Sequence, residues 1–376
     1  MIIKIRRFID TARSILAATG TLGAARKIHS QFRPPRSPQG ADSVSNEREY
    51  LARVSAEIAT FDNIDVVHDL PPIFHYWSNK YLLALIKPFG FIHPDDFFIK
   101  QLAKVMDTAG AGGAVFISIG AGNCDTELRV AQGLIALGHE NFVIECLDLN
   151  PSMLARGRDL AKEHGMERHI RPLEGDFNQW RAAKPYHAVM ANQSLHHVMQ
   201  LEHLFDAILD AIKPLNGVLI TSDMIGRNGH QRWPEALSLL EEYWDELPPK
   251  YKYNRQLKRQ DAQFVNWDCA TDGFEGIRAQ DIMRLLSERF HFDLFVPFAN
   301  LITPFIDRGF GHNFDIDSEF DRSFIDRVHA RDEVEIRAGR ISPTQMFAVL
   351  SSDWSRPTQC IDGLTPGFCT RKVEAA

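Results

Sequence analysis

From Gly113 onward the apolar residues fall into short continuous runs, separated by stretches in which they recur every three or four positions. The runs at 114–119 (AVFISI), 142–148 (FVIECLD), 169–174 (HIRPLE), 186–191 (YHAVMA) and 217–223 (GVLITSD) read as strands. Runs without alternation suit strands covered on both faces, as in a parallel sheet. Between them, 125–137, 152–164 and 201–213 carry a helical pattern. This alternation predicts an α/β fold, a doubly wound parallel sheet with helices on both faces. After Asp223 the rhythm breaks until a helical pattern at 279–289, followed by apolar runs at 292–298 and 346–350.

Upstream, Ile2, Ile5, Ile9, Ala12 and Leu16 recur at helical spacing with Arg6, Arg7 and Arg13 between them, a short basic amphipathic helix. The Pro-, Ser- and Gly-rich stretch 32–45 has little to bury and reads as a linker. Residues 46–110 look helical, and 70–98 is rich in aromatics such as Phe74, Tyr76, Trp77 and Tyr81. The expected organisation is a tail and linker (1–45), a helical N-terminal lid (46–110), a core (111–225), a cap insertion (226–277), the end of the core (278–352) with an inserted loop at 306–343, and a C-terminal tail (353–376).

Charge and cysteine content narrow the setting. Net charge is −7, but 1–40 holds eight basic side chains against Asp10 alone, so the remainder carries −14. An acidic body repels phosphate, which disfavours nucleic acid as a partner. Met1–Leu16 could touch an anionic membrane surface only weakly, because one short helix gives marginal attachment. Five dispersed cysteines with no CxxC pair fit a reducing compartment and argue against structural zinc. With no long apolar run and no cleavable leader, the expected location is cytoplasmic, peripheral to a membrane at most.

The first strand leads into Ile119-Gly120-Ala121-Gly122-Asn123-Cys124-Asp125. Two glycines permit a sharp turn and close approach of a ligand to the peptide plane, and a helix start offers free N–H groups. Asp125 stands where a dinucleotide fingerprint requires its third glycine, which disfavours a nicotinamide or flavin cofactor. Asp148 closes the second strand at its carboxyl edge, where a carboxylate can accept both hydroxyls of a ribose. The third strand ends at Asp176-Phe177, the fourth at Asn192 followed by His196 and His197, and the fifth at Asp223.

Together these residues resemble the class I S-adenosylmethionine-dependent methyltransferases, over 110–225 and more loosely to 352. The resemblance implies a Rossmann-like seven-stranded sheet of order 3-2-1-4-5-7-6, whose antiparallel strand would be 346–352. It implies S-adenosyl-L-methionine as cofactor, with Gly120, Ala121, Gly122 and Asn123 under the methionine moiety. Asp148, with Leu149 beside it, would hold the ribose, Asp176 and Phe177 would meet the adenine, and Asn192 would lie near the methionine end. Two positions depart from the family pattern: Ser118 stands where an acid is usual, and Cys124 replaces the third glycine. The Asn/Asp-Pro-Pro-Tyr signature of amino-group methylation of bases is absent at Asn192-Gln193-Ser194-Leu195.

Methyl transfer to oxygen requires loss of a proton, for which an imidazole is suited. His196 is the first candidate base, followed by His197 and His230. Tyr76, Trp77, Asp223, Arg227, Arg232, Trp233 and His312 are expected to meet the substrate, a small molecule or glycan-type metabolite. A metal held by His196, Asp223 and His230 is conceivable, but no spacing is diagnostic and none is expected. Transfer to nitrogen, or a silent methyltransferase-like binding protein, are the alternatives. Tyr76 and Lys80 match a short-chain dehydrogenase pair formally, yet precede the glycine loop instead of following it.

Overall fold

The computed structural model describes residues 43–61, 70–110, 112–271 and 273–371. The basic segment 2–16 and most of the expected linker lie outside them. The chain forms two compact units, Met1–Asp69 and Leu70–Ala376. In the first, the described residues form helix α1 (Ser43–Phe61), which begins inside the stretch expected as linker. The expected N-terminal lid is thus divided between the two units.

The second unit opens with consecutive helical turns, Pro72–Trp77, a π turn at Ser78–Leu82 and Leu83–Ile86. Helix α2 (Pro94–Thr108) follows, with His93 accepting the Asp95 N–H as cap, Pro94 in its first turn and two acids facing the positive end of its dipole. Strands β1 (Ala114–Ile119), β2 (Phe142–Asp148), β3 (Ile170–Glu174), β4 (Ala188–Asn192) and β5 (Val218–Met224) are all mutually parallel. Helices α3 (Asp125–Ala136), α4 (Pro151–Glu163) and α5 (Leu201–Ile212) connect them. Leu201, Leu204, Phe205, Ile208 and Ile212 of α5 are buried, the three- and four-residue spacing that marked it as amphipathic.

Where the rhythm breaks, helix α6 (Pro234–Glu246) and a two-residue hairpin of β6 (Tyr253–Asn254) and β7 (Arg259–Gln260) occupy the expected cap. Helix α7 (Ile282–Arg289) then leads to β8 (His291–Phe298), and β9 (Gln345–Ser351) lies antiparallel between β5 and β8. The sheet order is β10-β8-β9-β5-β4-β1-β2-β3. Without β10 this is the order the family resemblance implies, and the fold is the doubly wound α/β class.

Two expectations are corrected. The sheet has eight strands, not seven, because β10 (Gln359–Cys360) pairs with the free edge of β8 at Leu294 and Phe295. Residues 353–371 are therefore packed chain instead of a tail, with Leu364 and Cys369 buried. The loop expected at 306–343 contains helix α8 (Glu319–Arg337), capped by Ser318, whose side chain accepts the Asp321 N–H. No helix among the described residues is long and apolar enough to cross a membrane.

Candidate active site

The order β4-β1-β2-β3 lines up four carboxyl ends, so the residues after these strands share one edge. After β1 the chain turns through Gly120 (φ 71°), where an added Cβ would stand 2.7 Å from the Ser194 Cβ. A side chain at 120 would therefore displace the loop that follows β4. The Gly122 N–H donates to Asp148 Oδ2 at 2.8 Å, and the Asn150 N–H to Oδ1 at 2.9 Å, so one carboxylate ties the glycine loop to the end of β2. Asn150 then caps α4 by accepting the N–H groups of Ser152 and Met153. Asn123 accepts from Arg156 at 3.0 Å.

Asp176 accepts the Asn178 N–H at 2.8 Å and the Gln179 side-chain amide at 3.1 Å. Phe177 is buried beside it, Leu149 is partly buried against the core, and Asn192 donates to the Thr126 hydroxyl at 3.3 Å. Cys124 sits in the left-handed region (φ 59°), the conformation a glycine would adopt freely there.

Ser118 is buried and donates at 2.6 Å to Glu127, which projects back from the first turn of α3. Burial pushes the Glu127 carboxyl up to about 7, with the Ser118 hydrogen bond opposing in part. Its second oxygen, Oε2, is sealed from solvent without a hydrogen-bond partner. Glu127, a residue the sequence reading missed, thus brings a carboxylate from nine residues later to Ser118. A Glu among the mostly apolar buried residues of α3 was the available signal.

A second cluster lies where the β4 exit loop meets the cap. Asp223, at the end of β5, accepts the N–H groups of Ser194, Leu195, His196 and Met224, and His196 Nδ1 donates to it at 2.6 Å. Fully buried and committed to that turn, Asp223 is not available to substrate, contrary to the expectation. On its other side His196 Nε2 faces Glu275 Oε1 at 3.6 Å, and His197 Nε2 faces Glu275 Oε2 at 3.6 Å. His230 Nε2 donates to Glu275 Oε1 at 2.6 Å.

Burial alone would lower the His196 pKa, but Asp223 and Glu275 outweigh it and push it up to about 10. Glu275, though buried, is held well below the usual carboxylate range by His197, His196 and His230. Burial lowers His230, with Glu275 opposing. The expectation of an ordinary, titrating imidazole at 196 does not match this enclosure between two carboxylates. Glu275 carries no periodic signal in the sequence and was missed.

Residues 117–215 match the sequence profile of a methyltransferase domain. Comparison with curated proteins finds no match. Among solved structures, the chain is similar to one described as a sarcosine dimethylglycine methyltransferase from Galdieria sulphuraria, at 13% identity over 71% of this chain and 86% of that one, with TM-score 0.40. It is also similar to the [4+2]-cyclase SpnF, at 15% identity over 69% and 80%, with TM-score 0.35. A third is geranyl diphosphate C-methyltransferase from Streptomyces coelicolor A3(2), at 13% identity over 68% and 79%, with TM-score 0.36.

The matched residues run from within β1 to just past α5 and include the glycine loop, Asp148, Asp176, Asn192, His196 and His197. His230 and Glu275 come from outside it, in the cap. Of the expected substrate residues, Arg232 is buried and donates to the carbonyl of His230 and to the Thr303 hydroxyl. Its Nε has no hydrogen-bond partner, and burial lowers its pKa to about 10. Arg227 donates to the Arg232 carbonyl, and the ring of Trp233 lies under Arg371 at 4.8 Å. Tyr76 donates to Asp326 of α8, and Trp77 donates to His329 there while packing beside Phe298. His312 sits in a short turn, Gly311–Asn313, which Asn313 fastens to the carbonyls of Tyr251 and Tyr253.

Proposed function

We propose that the chain is an S-adenosylmethionine-dependent methyltransferase that transfers the methyl group to a hydroxyl of a small molecule or glycan-type metabolite. The observation that carries the cofactor reading is the pair of carboxylates bracketing the glycine loop. Asp148, which ties the glycine loop to the end of β2, would hold the ribose, and Glu127 presents a buried, unpartnered oxygen on the β1 side, where a cationic ammonium would satisfy it. Those groups fit the donor: one polyol, one ammonium, and a loop whose Gly120 leaves no room for a side chain of its own. When bound, the cofactor supplies an electrophilic methyl on a sulfonium.

The chain's own residues then bind, orient and exclude water, and alignment of this kind accounts for much of the acceleration in transfer reactions. Oxygen is favoured over nitrogen because His196 and His197 follow Asn192 on the β4 exit loop and meet His230 and Glu275 of the cap, groups suited to managing a hydroxyl proton. Arg232, a buried cation with an unpartnered Nε, suits a substrate bearing an anionic group.

Calorimetric titration with S-adenosylhomocysteine tests the reading. A lost charge-assisted bond is worth about 1.5–3 kcal/mol. Asp148→Ala and Glu127→Gln should therefore each weaken binding by roughly tenfold or more. Binding of NAD in its place, or indifference to both substitutions, would exclude the assignment.

A further inference from the structure

The cluster beneath the cap holds one nitrogen that its hydrogen bonds leave unmatched. His196 is fully buried, its Nδ1 is occupied by Asp223, and its Nε2 has no hydrogen-bond partner. That Nε2 and the Nε2 of His197 each face an oxygen of Glu275 at 3.6 Å, beyond hydrogen-bond length. The three donor atoms offered by His196, His197 and Glu275 lie within 4.8 Å of one another.

Ligands at about 2.1 Å from a tetrahedral zinc-like ion stand about 3.4 Å apart. The two 3.6 Å gaps are thus close to the spacing of ligands around one shared ion.

The surroundings have the form of an outer shell. A metal-binding histidine commonly donates its other ring N–H to a carboxylate, which fixes the tautomer and aims the free nitrogen. Asp223 does this for His196 at 2.6 Å, and His230 holds Glu275 at 2.6 Å. Backbone strain is also concentrated here. Gln193, at the start of the β4 exit loop, and His230 both have positive φ, and Gly229 (φ 62°) is packed so closely on Asp268 that a side chain would collide.

We propose that His196, His197 and Glu275 bind a divalent first-row transition-metal ion, with Asp223 and His230 as the outer partners that orient them. Two imidazoles and one carboxylate suit zinc, manganese, iron or cobalt and disfavour magnesium and calcium, which take oxygen ligands. Two ligands come from the β4 exit loop and the third from the cap, so the ion fastens cap to sheet. This departs from the expectation of no metal. It does not rest on the methyl-transfer reading, because the site can be assayed with no cofactor present.

The test uses the untagged full chain. Elemental analysis of the purified protein should show near-stoichiometric metal. After chelation, Zn(II) should raise the melting temperature, and Co(II) should produce the visible absorption of a protein-bound ion. Glu275→Gln should abolish the cobalt spectrum. His230→Gln, which leaves all three ligands in place, should weaken metal affinity by roughly 10- to 100-fold. If Glu275→Gln does not fold, the wild-type measurements and His230→Gln decide. Protein that purifies without metal, and answers neither Co(II) nor Zn(II), overturns the proposal and leaves a proton-sharing network.

Discussion

Glu127 shows how one side chain reconciles local chemistry with the family pattern. Its carboxyl is pushed up to about 7 because burial outweighs the stabilisation its charge receives from Ser118, a backbone hydrogen bond and Arg129. In the unfolded chain the same group ionises near its ordinary 4.5. Between those values the folded state binds more protons, so stability falls as pH rises and is greatest below the unfolded pKa. The span corresponds to about 3 kcal/mol, an order-of-magnitude figure. Denaturant unfolding at about pH 5 and about pH 8 should show a slope that Glu127→Gln removes, since a neutral amide keeps the Ser118 partnership without the ionisation cost. An unchanged slope would place the titrating group elsewhere. The positions of Asp148, Asp176 and Asn192 along one sheet edge were legible in the sequence because each lies at or just past a strand end. Glu127 and Glu275 were not, because nothing in periodicity shows which distant loop folds back to complete a site.

At the scale of elements, the strands of the core emerged within two residues of their final bounds, since for all but the edge strand β3 burial on both faces leaves a mostly apolar run. Helix α8 escaped because its inward face carries acids. Asp321 accepts from the Tyr251 hydroxyl and the Asp315 N–H. Asp332 takes the N–H groups of Asn300, Leu301 and Ile302, and Glu335 pairs with Arg331 and Arg340. A buried face built from paired carboxylates erases the apolar period a sequence reader relies on. Strand β10 escaped for another reason: two residues pair only because the edge of β8 is open.

The same tie between side chain and backbone governs the loop after β3. Buried Asn178 accepts the N–H groups of Met199 and Gln200 and so sets the approach to α5. Losing both bonds leaves two inward N–H groups unmatched. Asn178→Ala should therefore lower stability by about 1–3 kcal/mol. Asn178→Asp, which keeps the acceptor, should recover most of the loss, as chemical denaturation would show. If the two variants are equally unstable, packing and not hydrogen bonding holds the loop.

For the molecule as a whole, the division at Asp69 and Leu70 separates chemistry from what precedes it. Every residue assigned here to cofactor, cluster or cap lies after Leu70, as do all strands of the main sheet and the helices between them. The basic excess lies before it, within 1–40, outside the described residues. Stability of a unit with its own core should not depend on a segment outside that core. A chain beginning at Leu70 is therefore expected to fold cooperatively, melt at the temperature of the full chain, and bind S-adenosylhomocysteine with unchanged affinity. Paired thermal melts and titrations on the two lengths would check this. A marked loss of affinity with an unchanged melt would show that residues before Leu70 complete the site as part of a lid, whereas a lowered melting temperature would show that the two units fold as one.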